Sequence, residues 1–184
     1  MYKWGLNFSP MYRRTTGKVT HVDQDLRSVS ARIRLTWRNA NYKGVMFGGS
    51  MFAAMDPPAM VALIHLSGED YVVWDKSASI QYKRPANQHV YAQFRFEESE
   101  LAHIRQQVDE CGECIHSMAI PWTSADGQIV FSVVNKELYI ASKVHHRQKQ
   151  ARQKQKSPTA VAIGLLGDPV GIRTPNLRIR SAML

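Results

Sequence analysis

Hydrophobic positions repeat along this chain with two periods. Val29, Ala31, Ile33 and Leu35 alternate with Ser28, Ser30, Arg32 and Arg34. A period of two means a strand, here with one apolar and one basic face. Gly17 opens an earlier strand pattern in which Val19, His21 and Asp23 alternate with Lys18, Thr20 and Val22, and Asp25 marks a turn. Further strands are predicted over Tyr71 to Arg84, Val90 to Glu97, Ile115 to Thr123 and Gln128 to Ile140, the last two joined at the hairpin signal Asp126-Gly127. Among them lies Ser50 to Leu66, apolar almost all the way round and carrying only Asp56 and His65 as titratable groups. Such a helix is buried in protein or in a membrane. This run falls short of the roughly 18 apolar residues of a membrane span and holds a carboxylate, so it is expected to be enclosed by its own chain. A shorter helix is predicted over Glu98 to Glu110, capped by Ser99, with Leu101, Ile104 and Val108 on one face. Trp4, Leu6, Phe8, Met11 and Tyr12 predict a short helix or an apolar lead-in. Together the elements give an α+β plan, one antiparallel sheet wrapped around one long helix.

Charge divides the chain into a body and a tail. Residues 1–140 hold 15 Lys/Arg against 14 Asp/Glu, whereas 141–184 hold 9 against one. The net charge of +9 therefore belongs to the tail, and a nucleic-acid role ranks last among the readings. The expected division is a domain over 1–141 and a basic tail over 142–184, disordered or an exposed helical extension where it is most polar. Gly171 to Leu177, G-I-R-T-P-N-L, resembles the translation of the strand complementary to a transfer-RNA gene's T-arm, which predicts a tail without evolved function. The N-terminus shows no apolar signal segment and no membrane span is predicted, so the expected location is cytoplasmic. Two cysteines make no disulfide framework, and Cys111-Gly-Glu-Cys114 lacks a second ligand pair for zinc, so no metal is expected.

Asp56 is the residue that needs explaining. Locally, Asp56-Pro57-Pro58 reads equally well as a helix start, with Asp as N-cap, or as a buried acid near a glycine-rich turn, which is a candidate catalytic group.

The residues around it decide between these readings by resemblance. Asn41-x-x-Gly44-x-x-Phe47-Gly48-Gly49, followed by Asp56, resembles the Asn-x-x-Gly-x-x-His-Gly-Gly…Asp pattern of phenylacetate-pathway-type acyl-CoA thioesterases. Ile80 to Ala86 resembles the strand-ending Arg-Pro-Ala of that superfamily. Phe47 to Ser50, Asp56-Pro57, Tyr71 to Lys76 and Lys136 to Ile140 are similar to a hotdog group described as domain of unknown function 4442. The resemblance covers about residues 6–141 and implies the hotdog fold. It starts the helix near Gly49, puts Asp56 two turns inside it and has Asp56 face a cleft at a dimer interface.

Thioester hydrolysis needs a polarised carbonyl and an activated water or nucleophile. A helix N-terminus offers unpaired N–H groups and a positive dipole end, and Gly48 and Gly49 let a carbonyl approach them. The resemblance thus implies Asp56 as general base or nucleophile, the Gly49 N–H as oxyanion donor and Asn41 as the residue orienting water or loop. Phe47, Gly48, Ser50, Met60, Lys83 and Arg84 are the candidate substrate-binding residues. Lys83 and Arg84 read equally well as meeting the phosphates of coenzyme A or as a solvated strand end, and Met51, Phe52, Met55 and Met60 as plain core ahead of an acyl channel. Coenzyme A enters as part of the substrate; no separate cofactor is expected. Phe47 stands where many relatives carry His and cannot hydrogen-bond, which favours the alternative of a non-catalytic acyl or acyl-CoA binding protein. The long strand from Tyr71 leaves an edge that a second copy would close, giving a homodimer or dimer of dimers.

Overall fold

A computed structural model of the chain describes residues 2–156. Two short helices, α1 (Tyr2–Phe8) and α2 (Pro10–Arg14), lead into strands β1 (Gly17–Val22) and β2 (Ser28–Ile33). The long helix α3 (Gly48–Ser67) follows, then β3 (Tyr71–Tyr82), β4 (Val90–Arg95), α4 (Glu98–Cys111), β5 (Glu113–Thr123), β6 (Val130–Ser142) and α5 (Lys143–Lys156). The six strands form one antiparallel sheet in the order β1-β2-β4-β5-β6-β3, so β1 and β3 are its edges. The division at residue 141 falls one residue before the end of β6, and the first turn of α5 still touches the body: His145 Nε2 lies 3.6 Å from Glu113. The rest of the predicted tail, 157–184, lies outside the described residues.

The sheet curls around one side of α3. Met51, Ala54, Met55, Ala59, Ala62 and Leu63 are buried against Val29, Ile33, Ile120, Trp122, Val134, Leu138 and Ile140. The Trp122 indole donates to the Met51 carbonyl at 2.9 Å, fixing the depth of the helix. Pro57 and Pro58 sit inside the helix, where each removes a ladder hydrogen bond. Pro58 would have donated to the Ala54 carbonyl; instead the phenol of Tyr12, fully buried on α2, donates there at 3.2 Å. Close approach requires a glycine at the start of β1, since a Cβ on Gly17 would lie 2.7 Å from that of Ala54.

Two expectations need correcting. The helix is not enclosed by its own chain: the sheet covers one side only, Asp56, Ile64 and His65 are exposed, and Phe52, Met60 and Val61 are half-buried. The cap of α4 is Glu97 rather than Ser99, because the Glu100 carboxylate reaches back to accept from the Glu97 N–H at 2.9 Å.

Candidate functional site

The loop before α3 fixes where the helix begins. Asn41 Oδ1 accepts from the N–H groups of Lys43 (2.9 Å) and Val45 (3.3 Å), and Gly44 takes a positive φ of 75° to close the turn. Met46 N–H donates to Ala86 at 2.8 Å and Phe47 N–H to Asn39 at 2.7 Å. These bonds pin the loop on both flanks and bring the chain into helical geometry at Gly48, with Phe47 as N-cap. Asp56 therefore sits inside the helix and is not its cap.

A cleft of about 850 Å³ opens at this helix start. Asn41, Phe47, Gly48, Gly49, Lys83 and Arg84 all line it, together with Met51 and Tyr82. Among the described residues neither the Gly48 nor the Gly49 N–H has an acceptor, as expected for the first turn of a helix. The glycines admit their neighbours' rings: a Cβ on Gly48 would come within 2.6 Å of Tyr82, and one on Gly49 within 2.3 Å of Phe47. Asn41 shapes the loop through its oxygen. Lys83 and Arg84 are exposed at the rim, with Lys83 Nζ 3.2 Å from Gln81. Asp56, Ser50 and Met60 are not on the walls of this cleft.

Asp56 has its own setting. It projects from the open side of α3, its side chain 55% exposed, and its Oδ1 lies 3.3 Å from Lys136 Nζ. Lys136 comes from β6 and its side chain is fully covered. The same Nζ is 2.8 Å from Asp75 Oδ1 on β3 and also donates to the main-chain carbonyl of Asp56. One covered lysine thus bridges two carboxylates and the helix backbone. Burial pushes the Asp75 carboxyl upward, the contact with Lys136 pulls it back down, and the neighbouring Asp56 adds a smaller upward push. Lys136 and Asp75 appear in the sequence only within stretches quoted for their resemblance, without a role. The signal that could have found Lys136 is its place on an inward strand face between Val134, Leu138 and Ile140, where a charge needs a partner.

Elsewhere, Cys111 is exposed and Cys114 buried with its thiol on Gln107, and no group of three potential metal-binding side chains occurs among the described residues. No described helix is long and apolar enough to cross a membrane.

This architecture has known counterparts. A Pseudomonas aeruginosa protein of unknown function, described as a "Probable Thioesterase", superposes with a TM-score of 0.66 at 17% identity, covering 77% of this chain and 93% of that one. A Chlorobaculum tepidum TLS protein of unknown function gives 0.63 at 17% identity, covering 77% and 93%. A thioesterase from Haemophilus influenzae gives 0.55 at 13%, covering 75% and 87%. At these identities the likeness establishes the fold, and the fold is the hotdog. No curated protein matches the chain in sequence. Residues 2–140 match one family throughout, and the chain belongs to it: the domain of unknown function DUF4442.

Proposed function

We infer that this protein hydrolyses acyl thioesters, with acyl-CoA as the substrate class, Asp56 as general base or nucleophile and the Gly49 N–H as oxyanion donor. The observation that carries this reading is an accessible carboxylate, anchored from below by a fully covered lysine, on the open side of a helix whose first N–H groups have no acceptor. In the general-base form, Asp56 takes a proton from water as the hydroxide attacks the thioester carbonyl. The developing oxyanion meets the Gly49 N–H, and collapse expels the coenzyme A thiolate, which recovers the proton from Asp56. Lys83 and Arg84 lie at the cleft rim, where phosphates would be met.

Geometry adds a condition. Seven residues along an α-helix span about 10 Å, whereas reacting groups must approach to about 3–3.5 Å. Asp56 is also absent from the walls of the cleft that Gly49 lines, so we read the two groups as meeting one carbonyl from different chains. A second copy, paired along the open edge of β3, would supply one group to the other's cleft and cover the half-exposed Phe52, Met60 and Val61.

One observation favours the alternative of acyl-CoA binding without turnover. The Phe47 ring packs against Gly49, next to the amide assigned to the oxyanion, and offers no hydrogen bond of its own. A thiol-release assay over short, long and aryl acyl-CoAs separates the two. Hydrolysis that disappears in Asp56→Asn, with the fold intact by circular dichroism, supports the enzyme; turnover surviving that change removes Asp56 from the mechanism. Tight binding of acyl-CoA without thiol release supports the binding protein.

A further inference from the structure

On the far side of the sheet from its β3 edge lies a second cleft, of about 520 Å³, sharing no lining residue with the first. Arg13 from α2, Lys18 from β1, and Arg32 and Arg34 from β2 and its end converge on it, and no acidic residue lines it. The neutral polar groups on its walls are already engaged. Asn7 exchanges two hydrogen bonds with the Val19 backbone, Thr16 Oγ1 accepts from Asn39 and the Gly17 N–H donates to Thr15. The cations are not: among the described residues none of the four side chains has an ion-pair partner.

Two features set this cluster apart from an ordinary solvated basic face. First, Lys18 and Arg32 stand directly opposite each other in the β1–β2 ladder, an arrangement of like charges that destabilises a sheet. Second, Arg32 Nε is closed off from solvent yet has no acceptor, and a polar atom left so is costly. The other end of the same sheet shows the usual solution. There Arg27 meets Asp25 and Glu98, and Arg95 meets Asp23 and Glu97. The body is almost neutral overall, so four unmatched cations in one cleft are a local concentration and not a reflection of general basicity.

We propose that the cleft formed by Arg13, Lys18, Arg32 and Arg34 is a binding site for a diphosphate-bearing anion. Guanidinium groups present paired N–H donors that match phosphate oxygens, and Lys18 adds a point charge. A diphosphate supplies the several negative charges that the protein itself does not. The diphosphate could be inorganic, belong to a nucleotide or belong to coenzyme A. This assignment stands independently of thioester hydrolysis.

The test is isothermal titration of the full-length protein with inorganic pyrophosphate, ADP and coenzyme A, against sodium sulfate at matched ionic strength. Pyrophosphate and ADP are expected to bind with one site per chain, coenzyme A at this site besides the one proposed at Lys83 and Arg84, and sulfate much more weakly. Similar affinity for the three shows that the diphosphate itself is read; tighter binding of ADP and coenzyme A places a nucleoside in the cleft as well. Lys18→Glu is expected to weaken pyrophosphate binding by at least about tenfold, the loss of one charged contact. The same change places a carboxylate opposite Arg32, so it should raise the melting temperature of the unliganded protein. That gain shows the variant is folded. Affinity unchanged in Lys18→Glu overturns the proposal, as does sulfate matching pyrophosphate.

Discussion

Replacing Lys136 by Met tests whether the covered lysine is held by charge or merely fills space. Met occupies a similar volume and leaves two carboxylates facing the lost ammonium. Breaking a fully buried ion pair costs about 3–5 kcal/mol, but the two acids here differ in exposure. Asp56, 55% exposed, is resolvated by water, and its share is reduced to that of a surface pair, about 0–1 kcal/mol. Asp75, only 23% exposed, has no other cation within ion-pair distance among the described residues and bears most of the penalty. We expect a loss of about 2–3 kcal/mol at pH 7.5, which is a fall of about 1 M or more in the urea midpoint. The sign of the pH dependence follows from Asp75. Its folded pKa already lies above its ordinary 3.8 because of burial, and removing Lys136 takes away the main opposing pull. The folded state then binds the proton more readily than the unfolded chain, so stability rises as pH falls through that window. The deficit of Lys136→Met should therefore shrink between pH 7.5 and pH 5. Lys136→Met/Asp75→Asn should recover most of it at pH 7.5, since the amide has no charge to strand. If single and double variants are equally destabilised at both pH values, the lysine acts through packing alone. If the single variant shows no loss, the ion pairs contribute nothing. Either result refutes the reasoning.

Three further outcomes follow from other parts of the fold. Tyr12→Phe should cost about 1–3 kcal/mol, because Pro58 has no N–H to replace the lost donor to Ala54; in a Pro58→Ala background, where residue 58 regains its N–H, equilibrium unfolding should show a smaller cost. His116 packs beside Phe96, and burial lowers its pKa from 6.5 against a smaller upward pull from Glu100. The unfolded chain binds that proton more readily, so stability should fall as pH drops below 6.5, and His116→Gln should flatten this part of the profile in thermal melts across pH 5–7. Light scattering should give a molar mass at least twice the 20.9 kDa of one chain; a chain that stays monomeric at micromolar concentration would leave Asp56 and Gly49 unable to share a substrate.

What the sequence reveals and what it hides divide along the range of the interactions involved. The alternation at Val29, Ala31 and Ile33 fixes which face of β2 is buried, because successive side chains of a strand point to opposite sides. The Ser67-Gly68 stop is equally local, with Gly68 at φ 86° ending α3. Asp56 shows where such reasoning stops. Asp-Pro-Pro is a sound helix start by every local rule, yet α3 begins eight residues earlier because hydrogen bonds from Phe47 and Met46 to the Asn39 and Ala86 carbonyls set the loop before it. The all-round apolar pattern of α3 likewise does not reveal that the sheet covers one side only, leaving Phe52, Met60 and Val61 half-buried. Most distant of all is Lys136, which lies 80 residues from the aspartate it anchors, so no periodicity connects them. What joins the two is an elementary requirement: a lysine on a strand face among Val134, Leu138 and Ile140 must meet a negative charge or not be buried there. In this topology two acids meet it, Asp75 at 2.8 Å on the neighbouring strand β3 and Asp56 at 3.3 Å in the middle of α3. Strand pattern and charge balance, applied together, show that Lys136 needs an acid, and only the fold supplies which ones, Asp75 and Asp56.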